Sequence, residues 1–120
     1  MASVKHPSDT TGRLIAASKV NGTSVYNRTG DKLGNVYDVM IDKNTGRTDY
    51  AIMNFGGFLG IGEKYHLLPW QSLTYDEVQG GYVVDVDRSR LEGAPSYSTT
   101  EQDMWRDPSY GQRVNDYYGV

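Results

Sequence analysis

Four turn signals divide the chain between Leu14 and Val86 into short apolar runs. They read VNGT, NRTGDK, DKNTGR and VQGG, and each contains glycine beside polar residues. Glycine and asparagine adopt the backbone conformations that tight turns need, so runs cut at this spacing are typical of short strands. Residues 14–92 are therefore predicted to form one small all-β domain.

Two of the runs indicate how the strands are buried. In YVVDVD, Tyr82, Val84 and Val86 fall on one face and the aspartates on the other, which predicts a strand with one solvated face. DYAIMNF is apolar on both faces. A strand buried on both sides fits the middle of a curled sheet or a place beneath a covering segment. This favours a small barrel over an open single-layer sheet.

The run NVYDVMID predicts a further strand. Tyr37, Val39 and Ile41 share one face of it, and this face is predicted to be the apolar one. Val36 and Met40 interrupt the polar face on the other side.

The composition limits the classes of function. The 120 residues, 38% of them hydrophobic, fit one small domain with a modest core. The net charge of −3 argues against direct binding to nucleic acid or to an anionic membrane surface. The chain has no cysteine, which excludes disulfides, thiolate zinc sites and cysteine nucleophiles. The longest apolar run near the start is LIAA, so we expect no membrane span and a soluble, cytoplasmic protein.

Two flanking segments differ from this domain. Residues 1–13 are small and polar, and we expect a mobile lead-in. Residues 93–120 are rich in aromatic side chains, and STTEQDMWR within them predicts one short helix before Pro108. The aromatic residues of this extension are expected to pack on its own barrel or to form an interaction surface for another chain. They are Tyr97, Trp105, Tyr110, Tyr117 and Tyr118.

The stretch NFGGFLGIGEKYHLLPW, residues 54–70, raises the question of a phosphate-binding loop. Such a loop needs glycines that lead directly into a helix, where backbone N–H groups converge on the anion. Here EKYHLLPW follows the glycines and is typical of an extended strand that ends at proline. We therefore predict a structural connection, with the tryptophan filling a corner of the barrel core. The residues of this structural loop are Gly56, Gly57, Phe58, Gly60, Gly62, Pro69 and Trp70.

Residue patterns for metal binding or catalysis are weak. Oxygen ligands for calcium are suggested by Asp38, Asp42, Asn44, Gly46 and Asp49. The segment DKNTGR lacks the frame and the terminal glutamate of a calcium loop, so a hairpin turn is favoured. His66 has no paired base or nucleophile, which favours a surface or hydrogen-bonded structural role. We predict no catalytic residue, metal or cofactor. A small-ligand binder or enzyme that uses His66 is the least supported alternative.

From about residue 14 to residue 92 the sequence resembles the PRC-barrel family, named for the H subunit of the photosynthetic reaction centre. The resemblance lies in GxxxGxVxDVxID, which begins at Gly30, and in GGFLGIGEK and LPW. The chain looks especially like the short stand-alone bacterial members. The family implies a compact six-stranded antiparallel β-barrel, here followed by an aromatic-rich extension with a short helix.

The resemblance also implies docking, because related domains bind protein partners. We expect a non-catalytic interaction or adaptor module, with a homodimer as one form of it. An accessory factor of ribosome maturation or RNA metabolism, acting through a ribosomal protein, is an alternative. A photosynthetic accessory similar to the reaction-centre subunit is another. The sequence shows neither the membrane helix of that subunit nor the extra N-terminal domain of the ribosome factor, so neither role is expected to transfer whole.

Overall fold

The computed structural model describes residues 13–55, 64–96 and 107–120. Within these ranges short strands dominate, as the recurring turn signals predict. The strands are β1 Ser24–Tyr26, β2 Lys32–Ile41, β3 Thr48–Phe55, β4 Lys64–Pro69, β5 Leu73–Asp76 and β6 Gly81–Val84. The helices are α1 Ala17–Val20, α2 Arg88–Glu92 and α3 Pro108–Tyr118, and a 3-10 turn spans Trp70–Ser72.

The six strands form one curled, half-barrel sheet in the order β4-β3-β2-β1-β6-β5. Four neighbouring pairs are antiparallel, but β1 and β6 are parallel, with Val25 opposite Tyr82. The prediction of a purely antiparallel barrel is therefore wrong at this pair. The reason is the connection from β4 to β5, because the 3-10 turn joins these strands without pairing them as a hairpin. Strand β6 then returns beside β1 in the same direction.

The main core is built from one face of the sheet and includes side chains from every strand. Tyr82, Val84 and Val86 are buried and Asp85 is exposed, so the burial predicted for YVVDVD is confirmed. Helix α2 and the residues after it close one end through Leu91. The buried members of this core are Val20, Val25, Leu33, Val36, Ala51, Met53, Leu68, Tyr82, Val84, Val86, Leu91 and Ala94.

Strand β2 departs from the predicted alternation. Tyr37 is 53% exposed and Ile41 is 50% exposed, whereas Val36 is buried in the core. The register explains the difference, because Val36 lies opposite Met53 and Asp38 lies opposite the next residue of β3. Tyr37 is thus the extra residue of a β-bulge, and a bulge reverses which face the following residues occupy. The predicted apolar face is therefore wrong at Tyr37. Val39 packs against the main core as predicted, and Ile41 is half-exposed at the end of β2, where the register with β3 shifts a second time.

Two glycines of the GxxxG motif meet steric demands around the start of β2. A Cβ atom on Gly34 would lie 2.0 Å from the carbonyl oxygen of Asn54 on β3, so only glycine fits. Gly30 has φ +93°, in the left-handed region that favours glycine. The two glycines are therefore required by the close approach of β2 to β3 and by the tight turn before β2.

Candidate interaction surfaces

The outer face of strands β3 and β4 is covered by helix α3. Ile52 and Leu67 of the strands pack with Tyr110 and Val114 of the helix in a second cluster of buried side chains. The opposite face of the same two strands lines the main core. Strands β3 and β4 are therefore buried on both faces, as the apolar run DYAIMNF predicts, and α3 is the covering segment.

Helix α3 begins at Pro108 because the flanking residues form a favourable helix start. The Asp107 carboxylate accepts hydrogen bonds from the Oγ and the backbone N–H of Ser109 at 2.8 and 2.9 Å, and these bonds lower the pKa of Asp107. Proline suits the first helical turn, where its missing N–H costs nothing. Gly119 ends the helix with φ +75°. The segment STTEQDMWR, where the sequence predicts a helix before Pro108, lies outside the described residues.

Polar contacts hold α3 against the barrel at two places. The Tyr50 hydroxyl on β3 donates to Asn115 Oδ1 at 3.1 Å. Arg90 of α2 donates from Nη2 to the Tyr117 carbonyl at 2.7 Å, and the Tyr117 hydroxyl donates to the Arg90 carbonyl at 2.5 Å. The same guanidinium lies 4.8 Å from the centroid of the Tyr117 ring, within range of a cation–π contact. The end of the helix is thus tied to α2 by reciprocal bonds.

The aromatic residues predicted as an interaction surface fall into two groups. Tyr110 is buried, and Tyr117 and Tyr118 are half-buried against the barrel. Burial raises the pKa of the Tyr118 hydroxyl. Tyr97 and Trp105 lie outside the described residues. The described members therefore pack on their own barrel, and a contact of this extension with another chain stays a prediction.

Replacing Tyr117 by Phe removes the hydroxyl that bonds to Arg90 and keeps the ring. We expect the free energy of unfolding to fall by about 1 kcal/mol, the usual net value of one hydrogen bond. Tyr37→Phe is the matched control, because the half-exposed Tyr37 makes no hydrogen bond to the described residues. Chemical denaturation measures both variants. If both variants lose the same free energy of unfolding, the hydrogen bond to Arg90 makes no specific contribution to stability.

Pro69 and Trp70 stand at a corner of the sheet. Pro69 is buried, but Trp70 is only partly buried, with its ring centroid 5.4 Å from that of Tyr82. The predicted place of Trp70 inside the core is thus wrong in part, because the 3-10 turn that begins at Trp70 carries it to the rim of the core. The other predicted members of the structural loop lie outside the described residues. They are Gly56, Gly57, Phe58, Gly60 and Gly62.

Trp70 also lines a surface groove beside edge strand β5, which we call the β5-edge groove. Its volume is about 330 Å³, and Tyr75 and Tyr82 form the other aromatic walls. The rings of Tyr75 and Tyr82 meet edge to face with centroids 5.1 Å apart. The groove therefore has largely aromatic walls. Its lining residues are Arg13, Leu14, Ile15, Trp70, Leu73, Tyr75, Glu77 and Tyr82.

Two exposed apolar side chains lie in this groove or next to one of its lining residues in the chain. Leu14 lines it and is 68% exposed, and Val78, which follows the lining residue Glu77, is 95% exposed. Apolar surface that a fold leaves in water beside a groove is typical of binding sites. Sequence reasoning missed this surface. The one available sign was Val78, an apolar residue inside the turn signal VQGG.

The polar groups of the β5-edge groove are mostly hydrogen-bond donors. The Arg13 guanidinium, the Trp70 indole N–H and the Tyr75 hydroxyl make no hydrogen bond to the described residues. Burial, and then the neighbouring Tyr75, raises the pKa of Tyr82, so that its hydroxyl keeps its proton. Glu77 supplies an anionic acceptor and forms no ion pair with a described cation.

His66 lies inside the sheet and is 1% exposed. Its ring meets Phe55 edge to face at 5.6 Å. The imidazole is hydrogen-bonded to the backbone of Pro95, which must accept through its carbonyl because proline has no N–H, and Nδ1 has no partner among the described residues. Burial lowers the pKa of His66 to about 4, so the ring is neutral at physiological pH. This is the arrangement of a hydrogen-bonded structural histidine.

The turn after β2 has the geometry of a capped hairpin. Asp42 Oδ1 accepts from the backbone N–H groups of Asn44 and Thr45 at 2.8 and 3.1 Å, and Gly46 has φ +78°. The bonds from Asn44 and Thr45 lower the pKa of Asp42. The predicted turn is thereby confirmed. In the part of the chain that the structure describes, no group of three or more acidic or histidine side chains could hold a metal ion.

A curled six-stranded sheet with a helix over its outer face and an aromatic groove at one edge defines a small barrel domain. The family model of the PRC-barrel domain matches residues 12–91, and the chain therefore belongs to the PRC-barrel family. Comparison with curated proteins found no match. Among the described residues, no helix has the length and apolar character needed to cross a membrane.

Proposed function

We propose that this chain is a non-catalytic protein-interaction module that docks a protein partner on the barrel face at the β5-edge groove. The observation that supports this most is the meeting, at one edge of the sheet, of exposed apolar area with polar groups that have no partner among the described residues. Protein interfaces combine these features, with aromatic side chains at the centre and polar groups around them. PRC-barrel domains are small modules that often bind proteins.

The groups in the groove suit recognition better than chemistry. Trp70 and Tyr75 offer apolar area and a hydrogen-bond donor each, which is the usual profile of an interface residue. Nucleophilic catalysis needs a nucleophile within hydrogen-bond reach of a base that a further group orients. Glu77 makes no hydrogen bond to the other described residues of the groove, so this arrangement is absent there.

The C-terminal extension closes one surface and leaves others open. Helix α3 occupies the outer face of β3 and β4, so a partner reaches that face only if the helix leaves it. Tyr37 and Ile41 of β2 remain half-exposed. A homodimer would then form through these two exposed side chains. They are therefore a second candidate surface, to be compared with the β5-edge groove in the experiment below.

Capture of partners by the tagged full chain tests the proposal when two matched double variants are compared. Leu14→Asp with Val78→Asp places charges in the groove and next to its lining residue Glu77, whereas Tyr37→Asp with Ile41→Asp places them on β2. We expect a partner retained by the wild-type chain and the β2 variant to be lost by the groove variant. Near-ultraviolet circular dichroism checks that both variants fold. Loss of the partner from the β2 variant alone, or equal retention by both, would refute docking at the groove.

A further inference from the structure

We propose that the β5-edge groove binds a proline-rich segment in the polyproline II conformation, with a Lys or Arg beside its prolines. This inference rests on the proposed function, because it names the chemistry of the partner at the same groove. The argument has three steps, which concern hydrogen bonds, aromatic packing and charge.

The hydrogen-bonding groups of the groove complement a proline-rich backbone. Arg13, Trp70 and Tyr75 are donors without described partners, and Glu77 is the one carboxylate among the described lining residues. Proline has a carbonyl acceptor but no N–H, and a polyproline II helix leaves its carbonyls free of internal bonds. Such a ligand gives the groove acceptors and brings few donors that need partners. An ordinary extended segment brings one N–H with each carbonyl, and most of these would lose their water without a replacement.

The aromatic walls have the arrangement that proline rings need. Trp70 and Tyr75 each contact the buried Tyr82 at tilted or perpendicular angles of 59° and 79°, so their two partly exposed rings form ridges over it and not one flat wall. Pyrrolidine rings pack between such ridges, and aromatic-lined grooves on small domains bind proline-rich segments in this way. The ligand is also ordered before it binds, so it loses little conformational entropy.

Charge favours a basic residue in the ligand. Glu77 lines the groove without an ion pair to a described cation, and the chain carries a net charge of −3. A Lys or Arg next to the prolines would pair with Glu77, and the net charge would increase the association rate of a basic segment. Arg13 is the opposing charge in the lining, and its guanidinium is committed to a ligand carbonyl in this arrangement.

Fluorescence of Trp70 in the full chain provides the test. The sequence has two tryptophans, so Trp105→Phe leaves Trp70 as the only one. A hexaproline peptide that ends in two arginines is titrated against an alanine peptide of the same length and charge, and against a hexaproline peptide that ends in two glutamates. We expect saturable binding of the first peptide, binding about tenfold weaker for the alanine peptide, and about 2–5-fold weaker for the acidic peptide.

Conservative variants assign the binding to this groove. Tyr75→Phe removes one donor and is expected to weaken binding about 2–10-fold. Glu77→Gln is expected to abolish the preference for arginine over glutamate. The controls are Tyr37→Phe on β2 and Glu92→Gln at the exposed end of α2, and neither should change the affinity.

Three results would overturn the inference. They are the absence of saturable binding up to millimolar peptide, equal affinity for the proline and alanine peptides, and an equal effect of Tyr75→Phe and Tyr37→Phe. If one of these occurs while charges at Leu14 and Val78 still abolish partner capture, the interaction module stands and the proline-rich ligand is refuted. If charges at Leu14 and Val78 also leave capture unchanged, both proposals are refuted.

Discussion

A chain that ends after Ser96 is expected to be about 2–4 kcal/mol less stable than the full chain and to self-associate. Removing α3 takes away Tyr110 and Val114, which bury Ile52 and Leu67 on the outer face of the sheet. Each such side chain contributes about 1.5–3 kcal/mol when buried, and the cost of ordering the helix offsets part of the total. The uncovered strands then present a contiguous apolar patch to water.

Thermal melting over a range of protein concentrations, together with sedimentation, measures both effects. A loss of this size corresponds to a fall in melting temperature of roughly 10–20 °C for a domain this small. Tyr110→Ala in the full chain should destabilise no more than truncation, because the helix can undock and limit the loss. Gln112→Ala, on the exposed face of α3, is the control and should stay within about 0.5 kcal/mol of wild type. A truncated chain that melts like the full one and stays monomeric would show that α3 is not a stabilising cover.

The second large effect is a loss of stability in acid that depends on His66. Burial lowers its pKa to about 4 in the folded chain, compared with 6.5 for a histidine side chain in water. Above pH 6.5 the ring is neutral in both the folded and the unfolded chain and has no effect on stability. Below that pH the His66 imidazole binds a proton in the unfolded chain but not in the folded chain, so the free energy of unfolding falls as pH decreases. The loss reaches about 3 kcal/mol near pH 4 and then levels off.

Urea denaturation from pH 7 to pH 4 measures this dependence. The groups that face the ring are Phe55, the Pro95 carbonyl and the Lys64 cation, and burial outweighs the favourable bond to Pro95. His66→Gln keeps a donor for that carbonyl but cannot titrate in this range, so its stability should change much less between pH 6.5 and pH 4. His6→Gln replaces the other histidine and is the control. If the free energy of unfolding depends on pH equally in both variants, the stability lost in acid comes from carboxylates and not from His66.

Local patterns in the sequence predict most of the strands. YVVDVD and DYAIMNF specify burial through alternation and continuous apolarity, and DKNTGR specifies its turn through Asp42 and Gly46. These features depend on neighbours within a few residues, which is why a sequence without an alignment reveals them. The family resemblance then specifies a barrel, and the match over residues 12–91 confirms it.

Other features depend on contacts between distant parts of the chain. The bulge at Tyr37 follows from the register between β2 and β3, and no local signal marks it. The groove arises because Leu14, Trp70 and Tyr75 come together from separate segments. Trp70 is predicted as a core residue from the sequence, because composition does not show that the sheet stays open at β5. The start of α3 carried a clear signal in Asp107 and Pro108, but STTEQDMWR offered a competing one.

The parallel pairing of β1 and β6 has a consequence for the order in which the domain folds. Strands β1 to β4 are joined by local connections, and β5 and β6 form a separate hairpin. In the described ladder between these two units, Val25 pairs with Tyr82 and Tyr26 with Val83, and these pairs link positions far apart in the chain. Closing that long segment costs entropy before its contacts form, so we expect the two units to assemble first and this seam last. Under mild denaturant the amide protons along the seam should then exchange with solvent before those between β2 and β3.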